Sequence, residues 1–387
     1  MRASLLGLFA TGARGDFATT VHSWRTRDDI SLGEWSGVEA IADVVGTSGR
    51  KMYMLPQLLT ADEIAALHSA AIECGAYDTA EADTVDKAPT FQANIFEDGE
   101  VAAAATVAGL LKPIVAERLL PYVRAKFSCP DACVGDALLR RYRAGERMSL
   151  NLHYDIQAFA TAIIPLSVQR QPAGAHEGAA APHSPPSGGL SAYTGGLFVQ
   201  GGASRSSRRL VRFESAGDVL VHQFDLMHGV DVQGGDRYAV AVWFYDSPDS
   251  RARGTAPWVL AAAEGGNADA QFLQATFCAQ GRFGNQQDDE VAAEWLERGA
   301  AQGHATSELG LARHLLGAGE EERAAGYFRR AAEQGHVEAQ YSLALCHLDG
   351  MGVPPDRIAA AEWFGRAAEE GGEFGEAAEM ELTEMAR

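Results

Sequence analysis

The last hundred residues repeat themselves, and that repetition narrows the fold more than any other feature. Ala300-Ala-Gln-Gly303-His304 returns as Ala331-Ala-Glu-Gln-Gly335-His336 and again as Ala367-Ala-Glu-Glu-Gly371-Gly372, with Gly-to-Gly spacings of 32 and 36 residues. An aromatic residue precedes each Gly by seven or eight positions: Trp295, Phe328 and Trp363. Ala-rich units with a period in the thirties form helical hairpins that cannot bury their apolar face alone and so stack into a solenoid. The three aromatics are therefore expected at equivalent buried positions, in helices running from about residue 288 to the end.

Upstream the pattern changes. From Leu138, short alternating segments separated by Gly-rich turns predict a sandwich or jelly-roll barrel. The strand candidates are Ser149–His153, Phe159–Leu166, Gly196–Gln200, Leu210–Phe213, Val219–Phe224 and Tyr238–Tyr245. Before them, Thr60 followed by Glu63 is a capping-box pattern opening a helix with Ile64, Leu67, Ala71 and Ile72 on one face. A second helix is expected over Val101–Leu120. Residues 169–191, with four Pro and many Gly, Ala and Ser, read as a flexible loop inserted in the barrel.

The organisation that follows is an N-terminal extension over 1–50 without assigned structure, a barrel domain over 51–250, a linker over 251–287 and helical repeats over 288–387. The fold class is multidomain α+β, a double-stranded β-helix (jelly-roll) core followed by an α-helical solenoid. Met1–Ala10 is basic then apolar and would suit either a targeting leader or an irregular extension; a cytoplasmic location is the expectation, with an organellar leader the alternative. No apolar run is long enough for a membrane span. Five scattered Cys do not describe a disulfide framework. Cys129 and Cys133 would be at most half a zinc site. Of the net charge of −20, residues from Gln286 onward carry −13 (21 acidic, 8 basic), which argues against nucleic acid or an anionic membrane as a partner of that part.

The chemistry-bearing residues lie in the barrel. His153-x-Asp155 is followed by His228 and, nine residues later, by Arg237. Residues two apart on a strand point the same way, so His153 and Asp155 can reach one metal, and His228 from another strand would close the set. Two His and one carboxylate are the ligands of non-haem Fe(II) oxygenases, which leave the remaining positions on the iron open. Each piece has an ordinary reading as well. His-x-Asp arises by chance, a lone His in an apolar stretch is usually a core residue, and Arg237 after Gln233-Gly234-Gly235-Asp236 would suit a surface charge at a turn. His222 reads as a packed neighbour and His183 as a loop residue. Arg205, Arg208, Arg209 and Arg212 read as a solvated basic turn or, less simply, a contact for an acidic peptide.

Leu138–Asp246 resembles the prolyl hydroxylase superfamily, especially its oxygen-sensing branch. The matching pieces come in order: Tyr142-Arg-Ala-Gly145, His153-Tyr-Asp155, Gly195-Gly196-Leu197, Gly217-Asp218-Val-Leu-Val, His228-Gly-Val, and Arg237-Tyr-Ala-Val-Ala-Val-Trp243-Phe-Tyr-Asp246. The segment from Met54 to Cys74 resembles the leading helix of that family. The resemblance covers about half the chain. It implies that His153, Asp155 and His228 bind Fe(II), that Arg237 pairs with the far carboxylate of 2-oxoglutarate, and that Tyr142 lines the cosubstrate pocket. It also implies O2 as the second cosubstrate and admits ascorbate as an auxiliary. Pro165 and Ala241 stand where that branch has a Tyr and a Thr, a departure that bears on cosubstrate binding rather than on the iron. The C-terminal repeats resemble the Sel1-like branch of the tetratricopeptide repeats, Leu348-Asp-Gly-Met-Gly352-Val-Pro-Pro-Asp356 resembling its inter-helix loop.

Together these imply a 2-oxoglutarate-dependent dioxygenase hydroxylating a protein or peptide residue, with proline the leading expectation and the repeats as a second docking surface. The competing expectations are an adaptor whose repeats bind partners beside an inactive or sensing barrel, and an oxygenase acting on a free amino acid or small molecule.

Overall fold

The computed structural model describes residues 33–35, 52–83, 85–170 and 190–387. The leader-like Met1–Ala10 lies outside the described residues, as do most of the Pro- and Gly-rich insert (171–189) and His183 within it. The chain divides into two compact units, one of Ser31–Val199 with Arg209–Ala256, the other of Pro257–Arg387 with Gln200–Arg208.

The first unit is built on two sheets. Its strands are β1 (Gly33–Trp35), β2 (Met52–Leu55), β3 (Ala80–Ala82), β4 (Pro89–Glu97), β5 (Glu100–Val101), β6 (Cys133–Tyr142), β7 (Ser149–His153), β8 (Ala160–Pro165), β9 (Val168–Gln169), β10 (Ala192–Gln200), β11 (Arg208–Val211), β12 (Val219–Gln223), β13 (His228–Gly235) and β14 (Arg237–Tyr245). One sheet runs β1-β11-β10-β13-β7, with β9 on β10; the other runs β2-β12-β8-β14-β6-β4-β3, with β5 on β4. The chain passes back and forth between them, which makes this a double-stranded β-helix. The inner faces meet in a core to which the larger sheet gives Met52, Tyr142, Ile163 and Leu220, and the smaller gives Leu150, Tyr193, Leu197, Val199, Val230 and Val232.

β8 and β14 are central strands of the larger sheet, buried on both faces, which is why they read as nearly continuous apolar runs instead of strict alternation. The first helix of this unit starts where the sequence requires. Helix α1 (Ala61–Glu73) opens on the Thr60–Glu63 capping box, with Glu63 N–H donating to Thr60 Oγ1 at 3.2 Å and Thr60 N–H donating to Glu63 Oε2 at 2.8 Å. Ile64, Leu67 and Ala71 are buried, whereas Ile72 falls outside the stripe and is exposed. His68 on α1 packs edge-on against Tyr238 on the outer face of β14, with centroids 4.7 Å apart. The second helix differs from the expectation over Val101–Leu120: Val101 ends β5, and α2 spans Ala105–Ile114. A π-turn over Val115–Leu119 then leads into α3 (Leu120–Lys126). Pro121 cannot donate a hydrogen bond back along the helix, and the wider turn absorbs that missing donor.

After α4 (Pro248–Arg253) and its αL Gly254 cap, the second unit is all helical, apart from Gln200–Arg208. It contains α5 (Pro257–Glu264), α6 (Ala268–Gln280), α7 (Asp289–Ala301), α8 (Ala305–Gly317), α9 (Glu321–Glu333), α10 (Val337–Asp349), α11 (Arg357–Glu370) and α12 (Gly372–Met385), each packed on the next. The segment over 251–287, expected as a linker with some helix, therefore supplies two full helices to the stack. The aromatic equivalence also shifts by one residue. Phe328 and Phe364 are fully buried, while Trp363 is only partly buried. Trp363 instead matches Trp295 and Tyr327, each roofed by an Arg three residues on: Arg298 at 4.2 Å, Arg330 at 5.2 Å and Arg366 at 4.4 Å from the ring centroids. Gln200–Arg208 is held in this unit through Glu370. Ser204 Oγ donates to its carboxylate at 2.9 Å and Arg205 Nη1 to its carbonyl oxygen at 2.7 Å. Arg205 and Arg208 are buried, so the solvated basic turn expected there is not what forms. All five cysteines are free thiols, and Cys129 and Cys133 stand outside any metal-ligating group among the described residues. Among the described residues no helix is long and apolar enough to cross a membrane.

Candidate functional site

His153 is the last residue of β7 and His228 the first of β13, and the two strands pair with His153 opposite His228. Their rings lie 4.4 Å apart. Asp155, two residues past His153, turns back beneath them. Its Oδ1 is 3.5 Å from His153 Nε2 and its Oδ2 is 3.7 Å from His228 Nε2. One ligand atom from each residue falls within 4.8 Å of the others, and among the described residues no other such group forms. Asp155 and His228 are buried, and His153 nearly so.

Proton placement follows from the hydrogen bonds. His153 Nδ1 lies 2.8 Å from the carbonyl oxygen of Asn151, and His228 Nδ1 lies 3.0 Å from that of Leu226. A carbonyl only accepts, so each Nδ1 carries a proton, and Nε2 is the nitrogen turned to the space between the three side chains. Burial pushes the His228 imidazole down to about 3, with His153 adding to the effect. Burial alone would raise the Asp155 carboxyl, but His228 and His153 outweigh it and hold the group well below the usual carboxylate range. Two imidazoles that present Nε2 and one carboxylate make a donor set that suits a divalent metal. Thr161 Oγ1 on β8 donates to Asp155 Oδ2 at 2.7 Å and fixes the carboxylate's orientation. The role of Thr161 is not legible in the sequence, whereas His222 is the packed neighbour expected, its ring 4.7 Å from that of His228. His222 is completely buried, its Nδ1 donates to Gln223 O at 2.9 Å, and its Nε2 faces Asp155 Oδ2 at 3.8 Å, outside the converging group.

Arg237 opens β14 and pairs in register with Tyr142 on β6, so both side chains enter the space between the sheets. It is 3% exposed, which removes the surface-charge reading. Asp236, next to it, pairs with Arg143. Arg237 itself makes no ion pair among the described residues, and its Nε is buried without a hydrogen-bond partner. Its guanidinium lies 5.4 Å from the centre of the Tyr142 ring and 5.9 Å from that of Tyr193. A second cation on the same face of β6, Arg140, is by contrast compensated: it contacts Asp83 Oδ2 at 2.7 Å and Gln92 Oε1 at 2.9 Å. Burying a charge without a partner is costly, so Arg237 marks a place built for an anion. Pro165 and Ala241 lie on the same inner face, opposite Ala239 and Ile163, and offer it no donor. Burial raises the Tyr193 hydroxyl against the opposing pull of Arg237, leaving it a neutral donor.

Comparison with known proteins bears on each unit separately. Residues 268–304, 306–336 and 337–372 match the Sel1 repeat family in three copies, and the first copy begins within the stretch expected as linker. Helices α6 to α11 are thus similar to Sel1 repeats. No curated protein sequence matches the chain. Among solved structures, the chain is similar to a Sel1 repeat protein from Oxalobacter formigenes (31% identity over 33% of this chain and 95% of that chain, TM-score 0.30). It is also similar to an oxidoreductase of the 2OG-Fe(II) oxygenase family from Burkholderia pseudomallei (12% identity, 56% and 96%, TM-score 0.38). A third is a Pseudomonas putida prolyl-4-hydroxylase (15% identity, 53% and 97%, TM-score 0.35).

Proposed function

We propose that the β-helix unit is an Fe(II)- and 2-oxoglutarate-dependent dioxygenase. The observation that carries the proposal is a pairing inside one lumen: a His153–Asp155–His228 group with its ligand atoms turned inward, and a buried arginine with no counter-charge. In this reading His153, Asp155 and His228 hold the metal on one side and leave the other open. Arg237 receives the distal carboxylate of 2-oxoglutarate, with Tyr142 as a wall of that pocket. The bound iron would supply O2 activation, coupled to decarboxylation of the cosubstrate to succinate and CO2. The chain's own residues do the positioning. Thr161 orients the Asp155 carboxylate, the backbone carbonyls of Asn151 and Leu226 set the imidazole tautomers, and the apolar lumen excludes water around the site. No described residue is assigned to ascorbate.

The product in this reading is a hydroxylated residue of a protein or peptide. A proline is the first substrate to try, on the strength of the motifs between Tyr142 and Asp246. Support for a macromolecular substrate comes from the Sel1 repeats on the same chain, whose stacked helices offer an extended surface of the kind repeat proteins use for partners. The test is to incubate the full-length protein with Fe(II), 2-oxoglutarate, O2 and a proline-containing peptide library. The reading expects one oxygen atom gained per peptide and one succinate formed per hydroxylation. Succinate formation with free amino acids and none with any peptide would move the substrate class to small molecules.

A further inference from the structure

Tyr193 shares the inner face of β10 with Leu197 and Val199, as alternation along a strand requires. The register with β13 slips between Thr194 and Gly195, where Gly234 and then Val232 are the partners and Gln233 is the extra residue on the β13 side. Gly195 and Gly196 take φ of +72° and +126°, values that side-chain-bearing residues avoid. A Cβ at position 196 would lie 2.8 Å from Tyr193 Cε2 and 3.6 Å from its hydroxyl. The ring of Tyr193 thus fills the side-chain space that Gly196 leaves open.

What this inward side chain reaches is Arg237. Tyr193 is 1% exposed, and its hydroxyl is buried with no hydrogen bond of good geometry in the structure. The other ring beside Arg237, Tyr142, directs its hydroxyl to Arg140. Ala239, Ala241, Ile163 and Pro165, the residues nearby on the inner face of the larger sheet, have no donor to offer. A buried cation and a buried, neutral, unsatisfied O–H side by side are together complementary to a single carboxylate, which accepts from both.

We propose that Tyr193 is a second anchor for the distal carboxylate of the 2-oxo acid, donating its O–H to the group that Arg237 holds, and that this hydroxyl makes the site prefer a dicarboxylic over a monocarboxylic cosubstrate. The inference rests on the oxygenase reading above. Tyr193 is a positioning residue, since it touches the end of the cosubstrate remote from the reacting carbons.

The test compares full-length wild type, Tyr193→Phe and Gly196→Ala, each loaded anaerobically with Fe(II) and titrated with two ligands while the visible charge-transfer band is followed. The ligands are 2-oxoglutarate and 2-oxovalerate, which has the same chain without the distal carboxylate. Tyr193→Phe keeps the ring and removes only the donor. It is expected to weaken 2-oxoglutarate binding by about tenfold, as for loss of one hydrogen bond to a charged group. Its affinities for 2-oxovalerate and for Fe(II) are expected to stay unchanged. Gly196→Ala, which displaces the ring, is expected to show the same selective loss. Unchanged 2-oxoglutarate binding in Tyr193→Phe, or an equal loss for both ligands, would overturn the assignment while leaving the oxygenase reading intact. Absence of any 2-oxoglutarate band in the wild type would overturn both.

Discussion

Two arginines enter the lumen from neighbouring strands, and their different surroundings separate structure from function. Arg140 has Asp83 and Gln92 and stays where it is whatever else binds. Arg237 has two aromatic rings and no carboxylate. Arg237→Lys replaces a planar fork by a point charge, so it should raise the dissociation constant for 2-oxoglutarate by at least about tenfold with Fe(II) affinity unaltered. Equal affinity for the cosubstrate in that variant would remove Arg237 from the pocket. Asp155→Ala should abolish metal binding in a Co(II) titration, whereas His222→Phe should keep it, since His222 lies outside the converging group. Loss of Co(II) binding in His222→Phe would make His222 a ligand. The triad and Arg237 were legible through the ordered motifs that resemble the prolyl hydroxylase superfamily, strand alternation by itself placing only His153 and Asp155 on one side. Thr161, Tyr193 and the compensation of Arg140 were not, since each depends on which strands become neighbours. The room for the Tyr193 ring further depends on Gly196, whose missing side chain leaves the space that the ring fills.

At the scale of elements, the start of α1 illustrates how local sequence and a distant contact combine. Glu63 completes the capping box and also receives Arg118 from the π-turn, Nη1 donating to Oε2 at 3.0 Å. Arg118 first, and then the Thr60 backbone, hold the Glu63 carboxyl down to about 2. A carboxyl lowered on folding contributes stability above its unfolded value of about 4.5, and that contribution is lost as pH falls toward about 2. Glu63→Gln should therefore lower the melting temperature at neutral pH, and the gap to wild type should close between about pH 4.5 and pH 2. Because the pair is partly solvated, the effect at pH 7 is expected to be ~1 kcal/mol or less. A gap that persists undiminished at pH 2 would assign the loss to something other than ionisation.

In the repeats, Phe364→Ala should cost ~3–5 kcal/mol, as for emptying a packed core site. Trp363→Ala should cost clearly less, because that ring lies partly outside the core beneath Arg366. Chemical denaturation of the two variants checks the order. The sequence pattern marks an aromatic near each Gly. It does not say which of two adjacent aromatics, Trp363 or Phe364, faces the neighbouring helix, since that is settled by how the hairpins stack.

At the scale of the whole molecule, a lumen with a metal-ligating group and a solenoid of helical repeats share one chain, and the acidic residues gather on the solenoid. Periodicity made the existence of both units legible, together with their order. The solenoid starts earlier than the expected residue 288: Ala262-Ala-Glu-Gly-Gly266 repeats the Ala-Ala-x-x-Gly signature just before α6, which belongs to the first Sel1 match. If the repeats recruit a protein substrate, deletion after Ala256 should raise KM for that substrate by at least about tenfold, with 2-oxoglutarate affinity unchanged. An unchanged KM would leave the repeats with a role other than recruitment. The central claim is that one lumen binds a metal through His153, Asp155 and His228 and a 2-oxo acid through Arg237. Anaerobic titration of the full-length protein with Fe(II) and then 2-oxoglutarate tests it most directly. The account predicts a visible metal-to-ligand charge-transfer band that saturates at one 2-oxoglutarate per chain, is absent in Asp155→Ala, and bleaches on admission of O2 as succinate forms. A wild-type protein that binds Fe(II) but develops no such band at saturating 2-oxoglutarate would contradict it.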